Sequence, residues 1–201
     1  MKQAADPDLK ISMAALRALR SLAGADELPA LMAVTKTCMD GAQRAAAESA
    51  LFYAATRSSD TTQAGELLLA ELKRASADLD KASWIRTLCG IAYTKAIPAI
   101  AASLRDPNSW LVTTTLESLG RWRGIESLRL LLPYLDDAEV KTAAAYAIVG
   151  AAEPLATLPE HHSLLTPVLD RIAAMNEQPL AQKIVTIKRI MAKSALSGGD
   201  R

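Results

Sequence analysis

Apolar residues recur along the chain in a fixed pattern. Four times, two apolar residues three positions apart are followed, after a gap of six, by two more that are also three apart. The four sets are Leu19, Leu22, Leu28 and Leu31; Leu88, Ile91, Ile97 and Ile100; Leu116, Leu119, Ile125 and Leu128; and Tyr146, Val149, Leu155 and Leu158. A spacing of three keeps both side chains on one helix face, and the gap of six spans a turn. Each copy therefore predicts a helical hairpin.

A fifth, less regular copy begins at Leu51 and Ala54 and has a longer turn before Ala64 and Leu67. The second anchors of the five copies lie about 32, 37, 28 and 30 residues apart, within the range of helical solenoids. We expect one domain at 6–196, a right-handed α-α superhelix of about five hairpins. Its predicted parts are units at 6–39, 40–75, 80–105, 106–136 and 137–160, a C-terminal capping helix at 164–196 and a flexible tail at 197–201.

Helix-ending and helix-starting residues agree with this division, and no strand-like alternation interrupts it. Aspartates are expected to cap the first helix of each unit: Asp6 and Asp106, each followed by proline, with Asp40, Asp80 and Asp137. Prolines are expected just inside two second helices, at Pro29 and Pro98. Left-handed glycines are expected to end first helices at Gly24, Gly120 and Gly150. The fold class predicted is therefore all-α.

Three features of residues 6–160 resemble the HEAT-repeat family: Leu119-Gly120 before a short turn, Asp106-Pro107 opening a unit, and the sequence IPAI at 97–100 opening a second helix. The resemblance implies a HEAT-like solenoid. The expanded second unit, the turn bearing Trp122 and the helix containing 183–185 further resemble HEAT segments of large exported bacterial proteins, which accompany haem-binding or sugar-binding domains. The chain has no C-x-x-C-H haem attachment motif, so no cofactor is expected.

Charge and composition exclude several partners. The formal net charge is only +1, which gives no general attraction to nucleic acid or to an anionic membrane.

Residues 1–10 lack the apolar core of a secretory signal. We expect a cytoplasmic monomer if the chain is complete, and a periplasmic or exported module if it is a piece of a larger secreted protein. Cys38 and Cys89 are predicted to be core thiols rather than metal ligands.

Residues suited to catalysis are sparse, so no enzyme and no metal site is predicted. His161 and His162 are the only histidines, and neighbours on a helix diverge by about 100°. We interpret them as an exposed loop pair. The carboxylate pairs Asp78 with Asp80 and Asp136 with Asp137 fall between units, where helix capping explains them better than acid/base chemistry.

Two groups of basic residues are candidates for partner binding. Lys36, Lys73 and Arg105 occupy corresponding places near unit ends and are expected to follow one edge. Stabilisation of helix C-termini is the structural explanation of this ladder, and an anion-binding strip is the functional one.

The second group is Arg121-Trp122-Arg123, in the predicted turn of the fourth unit. Arginine and tryptophan are frequent at interface hot spots, whereas a structural Trp122 would cover the end of the core. Tyr134 is a further candidate on the second-helix face. Trp84 and Trp110 are expected to open neighbouring first helices and to pack between them.

These observations predict a non-catalytic scaffold that binds a protein or peptide on a concave face formed by second helices, or at the turns within repeats. One alternative is a nucleic-acid-binding enzyme of the HEAT-like DNA glycosylase type, which the low net charge disfavours. The other is a bilin-lyase-like repeat protein, since HEAT-like units occur in enzymes that attach bilins to light-harvesting proteins. A nucleic-acid partner is not expected.

Overall fold

A computed structural model describes residues 1–38, 40–58 and 60–197 and confirms the all-α class, with no strand among those residues. The helices are α1 (Leu9–Leu22), α2 (Leu28–Thr37), α3 (Gly41–Arg57), α4 (Thr61–Arg74), α5 (Asp78–Gly90), α6 (Ile97–Ser103), α7 (Ser109–Leu119), α8 (Ile125–Leu131), α9 (Lys141–Leu155), α10 (His162–Ala173) and α11 (Gln178–Ser197). Short 3-10 turns precede α1, α2, α6 and α10, and another follows α8. From residue 198 onward, the predicted tail lies outside the described residues.

The chain divides into two compact units, Met1–Leu111 and Val112–Arg201, with the boundary inside α7. In the first unit, α3 packs against α1, α2, α4 and α5. In the second unit, α9 packs against α8, α10 and α11. Each unit therefore has one helix that most of the others contact. No helix of the described residues is both long and apolar enough to cross a membrane.

Small side chains let α3 take its central place in the first unit. Ala47, Ala50 and Ala54 are fully buried on it, together with Leu51. Alanine favours the helix and allows neighbouring backbones to approach closely, while leucines of the surrounding helices fill the remaining space. Burying each such leucine side chain contributes about 1.5–3 kcal/mol. The alanine-rich composition thus produces close helix packing.

A buried arginine links α3 to α5. Arg44 donates hydrogen bonds to the Cys38 carbonyl at 3.2 Å, to Asp80 Oδ1 at 3.0 Å and to Ser83 Oγ at 3.2 Å. Asp80 therefore lies inside α5 as an ion-pair partner, and its prediction as a helix cap is wrong. Both cysteines are buried, as predicted, and neither forms a disulfide; burial raises the pKa of the Cys38 thiol.

Helices α1 and α7 are capped two residues later than predicted. Asp8 accepts from the Lys10 N–H at 2.8 Å, and Asn108 accepts from the Trp110 N–H at 3.1 Å. Asp6 and Asp106 instead accept from the amides of the residues two positions on, at 2.9 and 3.0 Å. They form local turns that lead the chain into the true cap. The sequence offers two polar residues around each proline, and only the chain path selects between them.

Asp40 and the two prolines lie at helix starts as predicted, whereas Asp137 does not. Asp40 caps α3 by accepting from the Gln43 N–H at 2.9 Å. Pro29 and Pro98 are the second residues of α2 and α6. Asp137 accepts from the Glu139 N–H at 2.9 Å, while α9 begins only at Lys141, so its prediction as a cap is wrong.

The predicted anchor Leu22 is 80% exposed. The buried side of α1 contains Ser12 and Leu16 and continues to Ala23, whose carbonyl accepts from Arg57 Nη1 at 2.7 Å. Positions related by four residues share a face, and Leu22 lies about 100° away from Ala23. In this first copy the spacing of three identified the hairpin but not its buried face, whereas the anchors Leu88, Leu116 and Leu119 of later copies are fully buried.

The copy of the pattern at Tyr146, Val149, Leu155 and Leu158 is wrong in register. Leu155 ends α9 and does not begin a second helix, which starts at His162. Tyr146 is 41% exposed and Leu158 is also exposed. The alanine-rich stretch extends α9 through the expected turn, because alanine has the highest helix propensity.

Candidate partner-binding turn

The five residues 120–124 connect α7 to α8 and form a turn with a fixed backbone, here called the arginine turn. Trp122 is only 2% exposed and its amide donates to the Leu119 carbonyl at 3.0 Å. Ser127 Oγ donates to the carbonyls of Trp122 and Gly124 at 3.2 and 2.9 Å. Trp122 therefore covers the core, which is the structural role predicted for it, while Arg121 and Arg123 are exposed on either side.

Two glycines bring the start of this turn against α9. A Cβ added to Gly120 would lie 2.8 Å from Ala147 Cα, and one added to Gly150 would lie 2.8 Å from the Gly120 carbonyl oxygen. Contacts this short do not occur between real Cβ and backbone atoms, so only glycine fits both positions. Their predicted role as left-handed helix ends is wrong, because no described glycine has positive φ. Gly150 lies inside α9, and Ala92 and Asn176 adopt the left-handed conformation instead.

An open cavity of about 390 Å³ lies beside the arginine turn. This volume is within the range of ligand pockets in proteins. The cavity lies entirely in the second unit and is lined by Gly120, Arg121, Trp122, Arg123, Gly150, Glu153 and Pro154.

The charged residues that line this cavity have no side-chain partners among the residues that the structure describes. In the described part of the chain, no hydrogen bond or ion pair engages the side chains of Arg121, Arg123 or Glu153. Pro154 has no N–H, so it cannot supply the helical hydrogen bond to the Gly150 carbonyl four residues earlier. The site therefore combines two guanidinium groups and one carboxylate with a carbonyl that lacks its helical donor.

The three residues of the basic ladder, Lys36, Lys73 and Arg105, have different surroundings in the structure. Lys36 bonds to Glu71, and this hydrogen bond is the main cause of the lowered pKa of the Glu71 carboxyl. Lys36 also lies 6.0 Å from the centre of the Trp84 ring. Lys73 lies in the last turn of α4 and Arg105 follows α6, both exposed. The Lys36 pair supports the structural explanation at that position.

The remaining aromatic candidates differ in exposure. Trp84 is fully buried in the middle of α5, so it packs in the core as predicted but does not open its helix. Trp110 is the second residue of α7, so it opens its helix as predicted, and at 43% exposure only part of its side chain is covered. Tyr134 is half-buried in the 3-10 turn Leu132–Leu135.

His162 is a structural residue that the sequence did not reveal. Its Nε2 lies 2.9 Å from the Ala156 carbonyl and 3.3 Å from Ser194 Oγ. It therefore joins the C-terminal end of α9 to α11, and both histidines are half-buried. The prediction of an exposed loop pair is wrong. Ser194 lies 32 positions away in the sequence, and no local pattern indicates such a contact.

The carboxylate pairs between units hold loops together. Asp78 accepts from Asn108 Nδ2 at 2.7 Å and from Lys81 Nζ at 3.0 Å, and these hydrogen bonds lower the pKa of its carboxyl. Lys81 also bonds to Asp106 at 3.2 Å. Asp136 is paired with Arg171. The contacts of Asp78 with Asn108, of Lys81 with Asp106 and of Asp136 with Arg171 join different elements, whereas the Asp78–Lys81 pair lies within α5.

Comparison with known proteins adds one finding. Residues 65–149 match the family model described as HEAT repeats, a range that extends from α4 into α9 and includes the arginine turn. No curated protein matches the chain.

Proposed function

We propose that this chain, whose residues 65–149 match the HEAT-repeat family model, is a non-catalytic scaffold that binds a protein or peptide partner. HEAT repeats commonly serve as protein-interaction scaffolds, because stacked hairpins present extended surfaces built from similar units. The fold is an all-α, HEAT-like solenoid, a type of fold that is typically not enzymatic.

The observation that carries this proposal is the cavity beside the arginine turn. Its exposed guanidinium groups have no partner in the described chain, although the backbone beneath them is fixed by Trp122 and Ser127. Arginines on a rigid support can bind a partner without first breaking an internal contact. We therefore place partner binding at Arg121 and Arg123, with Trp122 as the support of the turn.

The other candidate residues fit this proposal less well. Lys36 is occupied by Glu71, and Tyr134 is half-buried. Lys73 and Arg105 are exposed, so a partner that extends along the first unit can reach them. We assign them a secondary role.

The test is affinity capture with the intact chain, followed by binding of each purified candidate partner. The informative variant is Arg121→Ala/Arg123→Ala, which keeps Trp122 because truncating a buried tryptophan costs about 3–5 kcal/mol of stability. The matched control is Arg129→Ala/Arg189→Ala, which removes two exposed arginines of the same unit that have no bonded partner in the described chain.

We expect a direct partner to bind the wild type and the control equally and to lose at least about tenfold in affinity for the Arg121/Arg123 variant. Equal binding by all three proteins would reject the arginine turn as the binding site. Turnover of a nucleic-acid or glycan substrate by the purified chain would reject the scaffold proposal itself.

A further inference from the structure

We propose that the cavity beside the arginine turn binds a carboxylate side chain of an acidic peptide segment, held by Arg121 and Arg123. This inference rests on the scaffold function proposed above and adds the chemical class of the partner. A guanidinium group presents its N–H donors as a planar fork that matches the two oxygens of a carboxylate. Two such groups line one cavity here, separated in sequence by a single buried residue.

Arg121 and Arg123 are available to a ligand because no residue in the described part of the chain bonds to their side chains. Elsewhere, Arg44, Arg57 and Arg171 direct their guanidinium groups to internal carbonyls or carboxylates. In the described chain, Arg121 and Arg123 have no such bond, although the acid Glu153 lines the same cavity. An external carboxylate can therefore bind the pair without displacing an internal partner.

The backbone of the arginine turn fixes the positions from which the side chains of Arg121 and Arg123 extend. Gly120 and Gly150 hold the end of α7 against α9, and Ser127 bonds to both carbonyls around residue 123. The backbone of the turn is thus already ordered before a ligand arrives. Binding then has to order only the two arginine side chains, which reduces its entropic cost.

The local charge matches a single carboxylate. Two arginines and one glutamate line the cavity and leave it with one net positive charge. One peptide carboxylate neutralises that charge, whereas a phosphate group brings about −1.5 to −2 charges at neutral pH and leaves an excess negative charge beside Glu153. The whole chain carries a net charge of only +1 and adds no long-range attraction for a polyanion.

Size and polarity also suit a peptide. The volume of about 390 Å³ is near the lower end of the range for ligand pockets and is enough for one acidic side chain with its adjoining backbone. Gly150, whose carbonyl cannot accept from residue 154 because that residue is proline, also lines the cavity.

The test uses a fluorescein-labelled peptide of sequence Gly-Glu-Gly-Glu-Gly with an amidated C-terminus, titrated with the full chain and followed by fluorescence anisotropy. Companion probes replace both glutamates by glutamine, or one by phosphoserine. We expect saturable binding of the glutamate peptide, weakened by salt, and binding of the glutamine peptide at least about tenfold weaker. Equal binding of these two peptides would overturn the proposal, and so would tighter binding of the phosphoserine peptide by the wild type.

Variants locate the binding site. Arg121→Ala/Arg123→Ala should weaken binding of the glutamate peptide at least about tenfold, while Arg129→Ala/Arg189→Ala should stay within about twofold of the wild type. Glu153→Gln should strengthen binding of the phosphoserine peptide by about two- to fivefold, because a nearby like charge is removed. Equal losses in the two double variants would overturn the site.

The same proteins separate this inference from the proposed function. If no acidic peptide binds the wild type but a purified protein partner is lost in the Arg121/Arg123 variant, the carboxylate assignment fails and the scaffold function stands. If neither the peptide nor any protein partner responds to that variant, both fail.

Discussion

Replacing Gly150 by alanine tests the close contact between the end of α7 and α9, because two opposing effects of known size meet there. Gly150 lies in the interior of α9, where alanine is more favourable than glycine by about 1 kcal/mol in helix propensity. On propensity alone, Gly150→Ala should stabilise the protein. The added methyl group would lie 2.8 Å from the Gly120 carbonyl oxygen, which is backbone and cannot rotate away.

Overpacking of a close contact costs about 1–3 kcal/mol, since backbone segments have to move apart. The steric cost equals or exceeds the gain in propensity, and we expect Gly150→Ala to lower the free energy of unfolding by about 1 kcal/mol, the middle of the difference of about 0–2 kcal/mol. The matched control is Gly41→Ala, at the first position of α3, where an added Cβ meets no atom within 4 Å. The control should be neutral or slightly stabilising.

Thermal unfolding followed by circular dichroism, with urea denaturation of the same samples, measures both variants. For a domain of this size, 1 kcal/mol corresponds to about 2–4 °C in Tm. Gly150→Ala should melt below the wild type and Gly41→Ala at or above it. If Gly150→Ala melted above the wild type by the amount that propensity predicts, the close approach of Gly120 and Gly150 would be refuted.

Three further predictions concern groups at other places in the fold. Arg44→Met should lower the free energy of unfolding by about 2–4 kcal/mol in urea denaturation, because it leaves the largely buried Asp80 carboxylate without its ion-pair partner. A loss below about 0.5 kcal/mol would contradict the role of the Arg44–Asp80 pair. Trp122→Ala should cost about 3–5 kcal/mol by the same measurement, and near-neutral behaviour would show that the indole does not cover the core. The pKa of Glu71 is lowered, mainly by its hydrogen bond from Lys36. The ionised carboxylate therefore contributes to the free energy of unfolding above the ordinary glutamate pKa, and this contribution is lost as pH falls through the lowered pKa. The urea midpoint of Glu71→Gln should therefore fall below that of the wild type at about pH 7 and approach it at about pH 3, and a constant difference across that range would refute this linkage.

The hairpins could be predicted because their cause is local. Apolar residues at helical spacing, prolines at the second residue of α2 and α6, and the aspartate at position 40 all act within one or two helical turns. Several features that the sequence pattern places wrongly depend instead on contacts between residues far apart in the chain. Asp80 turns from a cap into an ion-pair partner only because Arg44, far away in sequence, approaches it.

The candidate site divides in the same way. The sequence identifies Arg121, Trp122 and Arg123 as a turn between two helices, and it identifies a covering role for the tryptophan. It does not reveal the cavity, since Glu153 and Pro154 reach the turn from another helix. A signal was nevertheless present: a glycine in the interior of an alanine-rich helix is unfavourable and often marks a close approach of backbones.

The sequence by itself determined the class of fold and the succession of hairpins, because helix propensity and apolar spacing act over a few residues along one chain segment. The tertiary structure alone decided which face of α1 is buried, which acids pair with which bases, and that two arginines without a partner in the described chain share a cavity with Glu153. These properties depend on distances between segments that lie far apart in sequence, and the burial of apolar surface between those segments sets the distances.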